Sequence, residues 1–235
     1  MPAPITWFWL ILSVTFAVSC KSREQTLEVK DQGSASMQQP YAGTCIPDGS
    51  YCASFSPTDM PVHLVANAFR SAEQSIRIGT YNINIGWFAD ILRERLDNGI
   101  KVELLLDFHH TLKDDGVWAR LGQHPNLTKY RIPVLRGGNP QMHNKIIIVD
   151  GKSVLFGSAN WTYSGLVGNF ENILESNDPP LVGKFGAELD ELRSLGAAAC
   201  KTFGSGGACG TGTETFESSF QHIAENGVFA AEVIN

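Results

Sequence analysis

The chain has 235 residues, of which 43% are hydrophobic and 18% are charged. This is an ordinary globular composition, and the length allows one large or two small domains with a sizeable core. The formal net charge of -6 at pH 7 excludes a general electrostatic attraction to polyanions. Any binding of phosphate must therefore come from a local basic patch.

The N-terminus predicts an export segment. Residues 5–19 form an apolar run that is too short to span a bilayer comfortably, and small residues precede Cys20. The ending AVSC resembles a bacterial lipobox, which implies cleavage before Cys20 and lipidation of that cysteine. Ordinary secretory cleavage and an uncleaved anchor are the alternatives. We expect a signal peptide over residues 1–20 and export to the bacterial periplasm or outer membrane, with the chain held to the membrane by a lipid.

The cysteine count is consistent with export. The chain has five cysteines, and lipidation of Cys20 leaves an even set at Cys45, Cys52, Cys200 and Cys209. The local disulfides Cys45–Cys52 and Cys200–Cys209 are the simplest of three connectivities, and they require an oxidising compartment. Four free thiols are the alternative. The sequence favours no metal site, because no CxxC motif or histidine cluster accompanies these cysteines.

Residues 21–44 are polar with little periodicity and predict a flexible tether, which the globular domain follows over residues 45–198. Apolar side chains recur at helical spacing over residues 62–69, and SIRIGTYNI alternates as a strand. The segment GWFADILRERLDNG predicts a helix closed by Gly99, and IKVELLLD predicts a buried strand. A strand, a helix and a strand in this order predict a βαβ unit with two parallel strands.

The second half of the domain predicts further elements. A short helix is expected over residues 116–123, and Pro133 in KYRIPVL indicates an edge strand or a bulge. A hairpin, a strand over ENILES and a helix ending at Gly196 follow. These elements predict an α/β fold with a mixed sheet flanked by helices on both faces. Residues 199–235 form a glycine-rich extension with a strand-like end, which leaves open that the chain is the first half of a longer protein.

The hairpin, MHNKIIIVDGKSVLFGSANW, has an apolar middle and polar ends. His143 and Lys145 share one face of their strand, and Ser158 and Asn160 share one face of theirs, because side chains alternate along a strand. A two-residue turn at Asp150-Gly151 pairs His143 with Ser158, and a shift by one residue pairs His143 with Asn160. Either register predicts that the four polar groups meet on one face.

Those four side chains form a receptor for phosphate. Lys145 offsets the charge, and Ser158 and Asn160 donate hydrogen bonds. His143 can attack phosphorus as a nucleophile or carry a proton. Taken singly, each residue is better explained as a strand cap or a solvated charge, so the interpretation depends on the complete group.

The spacing of His143, Lys145, Asp150 and the Gly157-Ser158-x-Asn160 segment resembles the HxKx4Dx6GSxN signature of the phospholipase D superfamily at every fixed position. The resemblance extends from about Ser54 to Leu195. It implies a phospholipase D-like α/β/α sandwich and a metal-independent phosphodiesterase without a cofactor, which works through a covalent phosphohistidine.

Family enzymes use two such motifs, whose histidines lie on opposite sides of one phosphorus, whereas this chain has one. We therefore expect a two-fold homodimer whose partner supplies the second histidine. The resemblance also implies that Glu171 in NFENIL hydrogen-bonds the catalytic imidazole; a surface charge on a short strand is the alternative. Asp150 and Gly157 are fixed in the motif, and we interpret Asp150 as structural because the turn lies far from His143.

Small, exported, single-motif proteins of this superfamily are typically nonspecific nucleases, which favours DNA or RNA as substrate. A phospholipase or transphosphatidylase beside its membrane, and a noncatalytic phosphate-binding module, are the alternatives.

Several other residues are weaker candidates for substrate contacts. Trp161 and Trp87 either line the substrate groove or belong to the core. His109 and His110 follow a strand at its carboxyl end, where they either contact substrate or lie in a solvated loop. The basic residues before the motif are Lys129, Arg131 and Arg136. They form either a local basic track for phosphate or a solvated face.

Overall fold

The structure is a computed structural model that describes residues 44–45, 49–108, 110, 116–132 and 141–203. The export segment with Cys20, nearly all of the tether, His109, Arg136 and Cys209 lie outside the described residues, so the predictions for them stay predictions. In the described part of the chain, no helix is long and apolar enough to cross a membrane.

Eight strands form one sheet, and the sheet is mixed, as the sequence predicts. The strands are β1 (Thr44–Cys45), β2 (Tyr51–Ser56), β3 (Ser75–Thr80), β4 (Lys101–Asp107), β5 (Leu127–Ile132), β6 (Lys145–Val149), β7 (Ser153–Gly157) and β8 (Glu171–Ser176). Their order across the sheet is β1-β2-β8-β7-β6-β3-β4-β5. Only the β3–β4 and β4–β5 pairs are parallel. The strand before Pro133 is an edge strand, as expected.

Helices cover both faces of this sheet. They are α1 (Pro61–Ser71), α2 (Gly86–Asp97), α3 (Val117–Leu121) and α4 (Pro179–Phe203), and a π-helical turn spans Ser164–Gly168. The first three helices pack on one face over a core that includes Phe69, Phe88 and Leu104. Helix α4 covers the other face over Ile146, Ile148 and related residues. The predicted α/β/α layering is therefore confirmed.

The predicted βαβ unit is β3, α2 and β4. Ile76 and Ile78 of β3 are fully buried between the layers, which explains the alternation seen in the sequence. Gly99 ends α2 as predicted: its φ is +86°, a conformation that glycine adopts readily, and its N–H donates to the carbonyl of Leu96 at 3.0 Å.

The predicted end of the last helix was wrong. Gly196 was expected to terminate the helix, but α4 continues to Phe203. A Cβ on Gly196 would lie 2.7 Å from the Cβ of Tyr130 in β5. This glycine therefore allows the helix to approach the sheet closely instead of ending the helix.

The Cys45–Cys52 disulfide is present, and it joins two residues that face each other across β1 and β2. The second predicted disulfide cannot be compared in the same way because Cys209 lies outside the described residues.

The hairpin forms, but neither predicted register is correct. Val149 pairs with Ser153, which leaves a three-residue loop of Asp150, Gly151 and Lys152. Asp150 and Gly151 both have positive φ, and the N–H of Lys152 donates to the carbonyl of Val149 at 2.9 Å. The loop thus contains the predicted Asp150-Gly151 pair, but Lys152 is an additional bulged residue that moves the partner of Val149 from Lys152 to Ser153.

The shift changes how the polar residues meet. Ile146 faces Phe156, so counting along the strands places Lys145 opposite Gly157 and His143 opposite Ala159. Ser158 therefore does not share a face with His143 by strand alternation, as both predicted registers required. Strand β7 ends at Gly157, and the residues that follow are freed from that alternation.

Candidate active site

The motif residues gather at one edge of the sheet. Strands β3, β4 and β7 end at this edge, and β6 and β8 begin there. Lys145 is the first residue of β6, Glu171 is the first residue of β8, and Ser158 directly follows β7. The fold thus brings residues 143, 145, 158 and 171 together through strand ends that are adjacent in the sheet.

His143 and Lys145 are in direct contact. The ammonium of Lys145 lies 3.1 Å from Nδ1 of His143 and 2.7 Å from the carbonyl oxygen of His143. Lys145 is buried, with 6% of its surface exposed, whereas His143 is exposed. An ammonium has three N–H donors, so two of them point at His143 and one can bind a substrate oxygen.

The surroundings shift both groups toward their neutral forms. Burial lowers the pKa of His143, the Lys145 charge lowers it further, and Asp107 partly offsets both effects. Burial also lowers the pKa of Lys145, and the carboxylate of Glu171 opposes that shift. A neutral imidazole is the charge state that can attack phosphorus, and these surroundings favour that charge state of His143.

Glu171 is held by Ser158. The hydroxyl of Ser158 donates to Oε2 of Glu171 at 2.5 Å and accepts the backbone N–H of Asn172 at 3.1 Å. The side-chain amide of Asn169 contacts the other carboxylate oxygen at 3.5 Å. Among the described residues, Glu171 makes no hydrogen bond to His143. The predicted bond from carboxylate to imidazole is therefore not formed within one chain, and Glu171 acts on the site through its charge and through Ser158.

Asn160 and Gly157 occupy tightly packed positions. A Cβ on Gly157 would collide with the carbonyl of Asn172, and a Cβ on Gly165 would collide with the carbonyl of Asn160. The side-chain Oδ1 of Asn160 is buried without a hydrogen-bond partner among the described residues. An amide oxygen only accepts hydrogen bonds, so a contact with a phosphate oxygen would come from the Nδ2 amide of Asn160.

Asp150 is structural, as predicted. It lies in the turn at the far end of β6 from Lys145. Its carboxylate accepts the backbone N–H groups of Glu73, Gln74 and Ser75 at 2.8 to 3.0 Å, which ties the hairpin to the start of β3. The motif aspartate therefore fixes the strand that carries Lys145.

Two residues of the site were missed by sequence reasoning. Tyr81 follows β3, and its ring centroid lies 4.6 Å from that of His143 and 4.0 Å from that of His110. Asp107 ends β4, is buried, and accepts the backbone N–H of Met142 at 2.9 Å. Both follow or end parallel strands, where ligand sites of α/β sheets commonly lie, and this position was the available signal.

The groove prediction for Trp161 was wrong. Trp161 is fully buried in the core. Its backbone N–H donates to the carbonyl of Asn82 at 3.1 Å, and its backbone carbonyl accepts the N–H of Asn84 at 3.3 Å. The chain folds back onto the end of β3 directly after the motif, which buries the indole. Trp87 is partly buried and packs on Phe88 with 4.6 Å between ring centroids.

The basic residues before the motif pack against Trp118. Nζ of Lys129 lies 4.7 Å from the indole centroid, and the guanidinium carbon of Arg131 lies 5.3 Å from it. Lys129 also donates to the carbonyl of Trp118 at 3.0 Å. Burial, with the nearby charges of Arg131 and Arg93, lowers the pKa of Lys129 to about 8. These contacts give Lys129 and Arg131 a packing role.

The described residues contain no group of three or more histidine, cysteine, aspartate or glutamate side chains that could hold a metal ion. The imidazole, the ammonium and the amide of the site can each donate to a phosphate oxygen.

Comparison with curated proteins finds lipid-directed names. A mitochondrial cardiolipin hydrolase of Chlamydomonas reinhardtii is 29% identical over 128 residues, which cover 52% of this chain and 52% of that protein. The chain therefore spans about half the length of this relative. A phospholipase D of Rickettsia conorii is 27% identical over 160 residues, which cover 68% of this chain and 72% of that protein.

Two solved structures share the fold. NucT from Helicobacter pylori matches with a TM-score of 0.56 and 22% identity, over 68% of this chain and 99% of that chain. The phospholipase D family member Nuc from Salmonella typhimurium matches with a TM-score of 0.54 and 25% identity, over 63% of this chain and 95% of that chain. A family model described as cardiolipin synthase, PLD-like domain, matches residues 65–193, more than half of the sequence. With the complete motif at the edge of the matching fold, the chain belongs to the phospholipase D superfamily.

Proposed function

We propose that this protein is a metal-independent nuclease that hydrolyses phosphodiester bonds of DNA or RNA through a phosphohistidine at a homodimer interface. The observation that carries the proposal is the exposed His143 imidazole with the buried Lys145 ammonium at its Nδ1. Membership in the superfamily supports phosphodiester chemistry. The choice of nucleic acid as the substrate goes beyond that membership.

The reaction has two steps. Nε2 of one His143 forms a bond to phosphorus while the P–O bond to the leaving group breaks, and the leaving oxygen takes a proton from the partner's His143. Water then attacks phosphorus and gives its proton to the partner's His143, and the N–P bond breaks. Lys145 of both copies offsets the charge on the phosphate oxygens, and Asn160 of both copies donates hydrogen bonds to them.

The two imidazoles must start in different protonation states. With Lys145 charged, Nδ1 of His143 accepts its N–H, and a neutral ring then carries its proton on Nε2. The attacking ring needs Nε2 free of the proton, and the ring that protonates the leaving oxygen must be an imidazolium with both nitrogens protonated. In both copies Nδ1 then carries a proton, so Lys145 must turn from Nδ1 toward the substrate phosphate.

The nuclease proposal is supported by the single motif of the chain. It is also supported by the structural match, which covers 99% of NucT and 95% of Nuc. The second candidate is a phospholipase. The specific observation in its favour is that the curated relatives carry the names cardiolipin hydrolase and phospholipase D. A tether at Cys20 would also place the site beside lipid.

A substrate panel in EDTA separates these candidates. Single-stranded and double-stranded DNA, RNA, and vesicles of cardiolipin or phosphatidylglycerol are incubated with the wild type and with His143→Asn as the matched control. Cleavage of nucleic acid alone, lost in the control, supports the proposal. Headgroup release alone would support the phospholipase candidate instead. Binding without turnover would indicate a noncatalytic module.

The dimer is tested by mixing. If each site needs two copies of His143, randomly exchanged dimers of wild type and an equal amount of His143→Ala place half of the wild-type chains in inactive heterodimers, so activity falls to about half. A fully active monomer in analytical ultracentrifugation would contradict the two-subunit site.

We also propose that the protein is exported and lipidated at Cys20. The lipobox-like AVSC ending supports this, and the Cys45–Cys52 disulfide suits an oxidising compartment. Metabolic labelling with a fatty acid should mark the wild type and leave Cys20→Ser unlabelled. Equal labelling of both proteins would refute lipidation at this residue.

A further inference from the structure

We propose that Tyr81 is the positioning residue of the half-site, whose ring holds the imidazole of His143 in place beside Lys145. The activity readouts of this proposal rest on the proposed function, whereas its structural readout does not.

The backbone of Tyr81 is joined to the motif. Tyr81 directly follows β3, and its N–H donates to the carbonyl of Asn144 at 2.9 Å. The preceding residue, Thr80, pairs with Lys145 in the sheet. The backbone of Tyr81 is therefore fixed to the residue that lies between His143 and Lys145, which places its side chain beside both of them.

The ring of Tyr81 contacts three side chains that can carry charge. Its centroid lies 4.6 Å from that of His143 at an interplanar angle of 55°, and 4.0 Å from that of His110 at 69°. Nζ of Lys145 lies over the same ring, 5.4 Å from its centroid. Such contacts attract a cation and pack an imidazole, so one ring constrains both reactive groups of the motif.

This constraint matters because His143 is exposed. An exposed side chain samples several rotamers, and each rotamer other than the reactive one removes the imidazole from phosphorus. With the Tyr81 ring against it and Lys145 at Nδ1, the imidazole of His143 is held on two sides. Its Nε2 has no hydrogen-bond partner among the described residues, so this nitrogen is the one presented to substrate.

The Tyr81 ring also affects proton binding by His143. The charged groups that face the imidazole are Lys145, which lowers its pKa, and Asp107, which raises it. His110 contacts the ring of Tyr81, and the charge of Glu171 acts on Lys145. Burial is the largest cause of the lowered pKa of His143, and the aromatic ring packed against the imidazole contributes to that burial.

The test compares Tyr81→Leu with Tyr81→Phe. Tyr81→Leu removes the ring, so the imidazole gains water and loses part of its contact with Lys145; both changes raise the pKa of His143. Tyr81→Phe keeps the ring and should behave as the wild type. Tyr51→Leu is the matched control, because Tyr51 begins β2, facing Ser176 at the end of the sheet remote from the site.

Two readouts are measured on each folded variant. The first is the NMR titration of the His143 ring, assigned by its absence in His143→Asn and requiring no substrate. The second is the pH profile of kcat/KM. In Tyr81→Leu we expect a higher pKa of His143, a matching move of the acidic limb to higher pH, and a loss in kcat of about tenfold or more from misplacement of the nucleophile.

The outcomes are distinct. An unchanged His143 titration and unchanged kcat in Tyr81→Leu overturn the proposal, as does equal damage in Tyr81→Phe, which would assign the role to the hydroxyl. If the wild type cleaves no substrate, the proposed function fails, and the NMR titration alone decides the role of Tyr81. If Tyr81→Leu does not fold by circular dichroism, Tyr81→Met takes its place with the same expectations.

Discussion

Asp150 offers the sharpest test of how the motif is built, because it is a fixed motif residue that we assign no chemistry. Its Oδ1 accepts the N–H groups of Gln74 and Ser75 at 2.8 Å, and its Oδ2 accepts the N–H of Glu73 at 3.0 Å. Its φ is +55°, a conformation that alanine adopts poorly. Asp150→Ala therefore removes three hydrogen bonds and adds backbone strain.

The expected loss follows from these two contributions. The hydrogen bonds reach a carboxylate but are partly exposed to solvent, so their combined loss is about 2 kcal/mol. Left-handed backbone adds about 1 kcal/mol for alanine. Asp150→Ala should thus lower the free energy of unfolding by about 3 kcal/mol, or roughly 6 to 12 °C in Tm for a domain of this size.

Asp150→Asn is the matched variant. Asparagine tolerates positive φ and keeps the oxygen that faces Gln74 and Ser75, but its amide nitrogen would face the N–H of Glu73. We expect a loss of about 1 kcal/mol. Urea unfolding followed by circular dichroism measures both variants, and kcat of the folded protein should stay within a factor of about two, below the tenfold change that 1.4 kcal/mol of lost transition-state binding would cause.

The pH dependence supplies a second check. Partial burial raises the pKa of Asp150, but the backbone N–H groups of Ser75, Glu73 and Gln74 and the charge of Lys152 outweigh it, and the net pKa is lowered. A carboxylate whose folded pKa lies below its unfolded value contributes stability above the unfolded pKa, and this stability disappears as pH falls through the folded pKa. As pH falls, the free energy of unfolding of Asp150→Asn should therefore decrease less than that of the wild type. Equal stability of all three proteins, or a loss of kcat without a loss of stability, would refute the structural role.

Three further predictions concern packing and proton binding. Gly196→Ala should destabilise the fold by about 1 to 3 kcal/mol in thermal unfolding because its Cβ would crowd Tyr130, whereas Gly183→Ala in the same helix has open space and should cost nothing. Trp161→Phe should lower the free energy of unfolding by about 2 kcal/mol and leave KM unchanged, because the indole is buried in the core. A large rise in KM would show that the indole contacts substrate in the groove. Because the pKa of His143 is lowered, the imidazole stays neutral somewhat below pH 6.5, and kcat/KM should fall only at more acidic pH; a fall that begins above pH 6.5 would contradict this.

The sequence was sufficient where one residue type has one physical reason to be present. Three local patterns predicted features that the structure has. The alternation of β3 predicted a buried strand, Gly99 predicted the end of α2, and the polar residues of the motif predicted a site at the end of the hairpin. Asp150 belongs to this group, because the turn placed its carboxylate far from His143. Such predictions succeed because they depend on neighbours along the chain.

Features that depend on distant packing were not predictable in the same way. Lys152 looks like a strand residue, and only the sheet reveals that it is bulged and shifts the hairpin register. Gly196 looks like a helix end, and only the closeness of Tyr130 shows why glycine is required. Tyr81 looks like one more residue of a strand, and its contact with His143 depends on the order β6-β3-β4, which no local pattern encodes.

The central claim is that Nε2 of His143 forms a covalent bond to phosphorus, and trapping that bond tests it most directly. A p-nitrophenyl ester of a nucleotide speeds the first step through its good leaving group, so the intermediate accumulates. Quenching in base preserves a phosphohistidine, and mass spectrometry of the digest locates it. The account predicts one nucleotide adduct on the peptide containing His143, absent from His143→Asn. Turnover with the adduct on another residue, or with no adduct while a burst of nitrophenol is released, would contradict it.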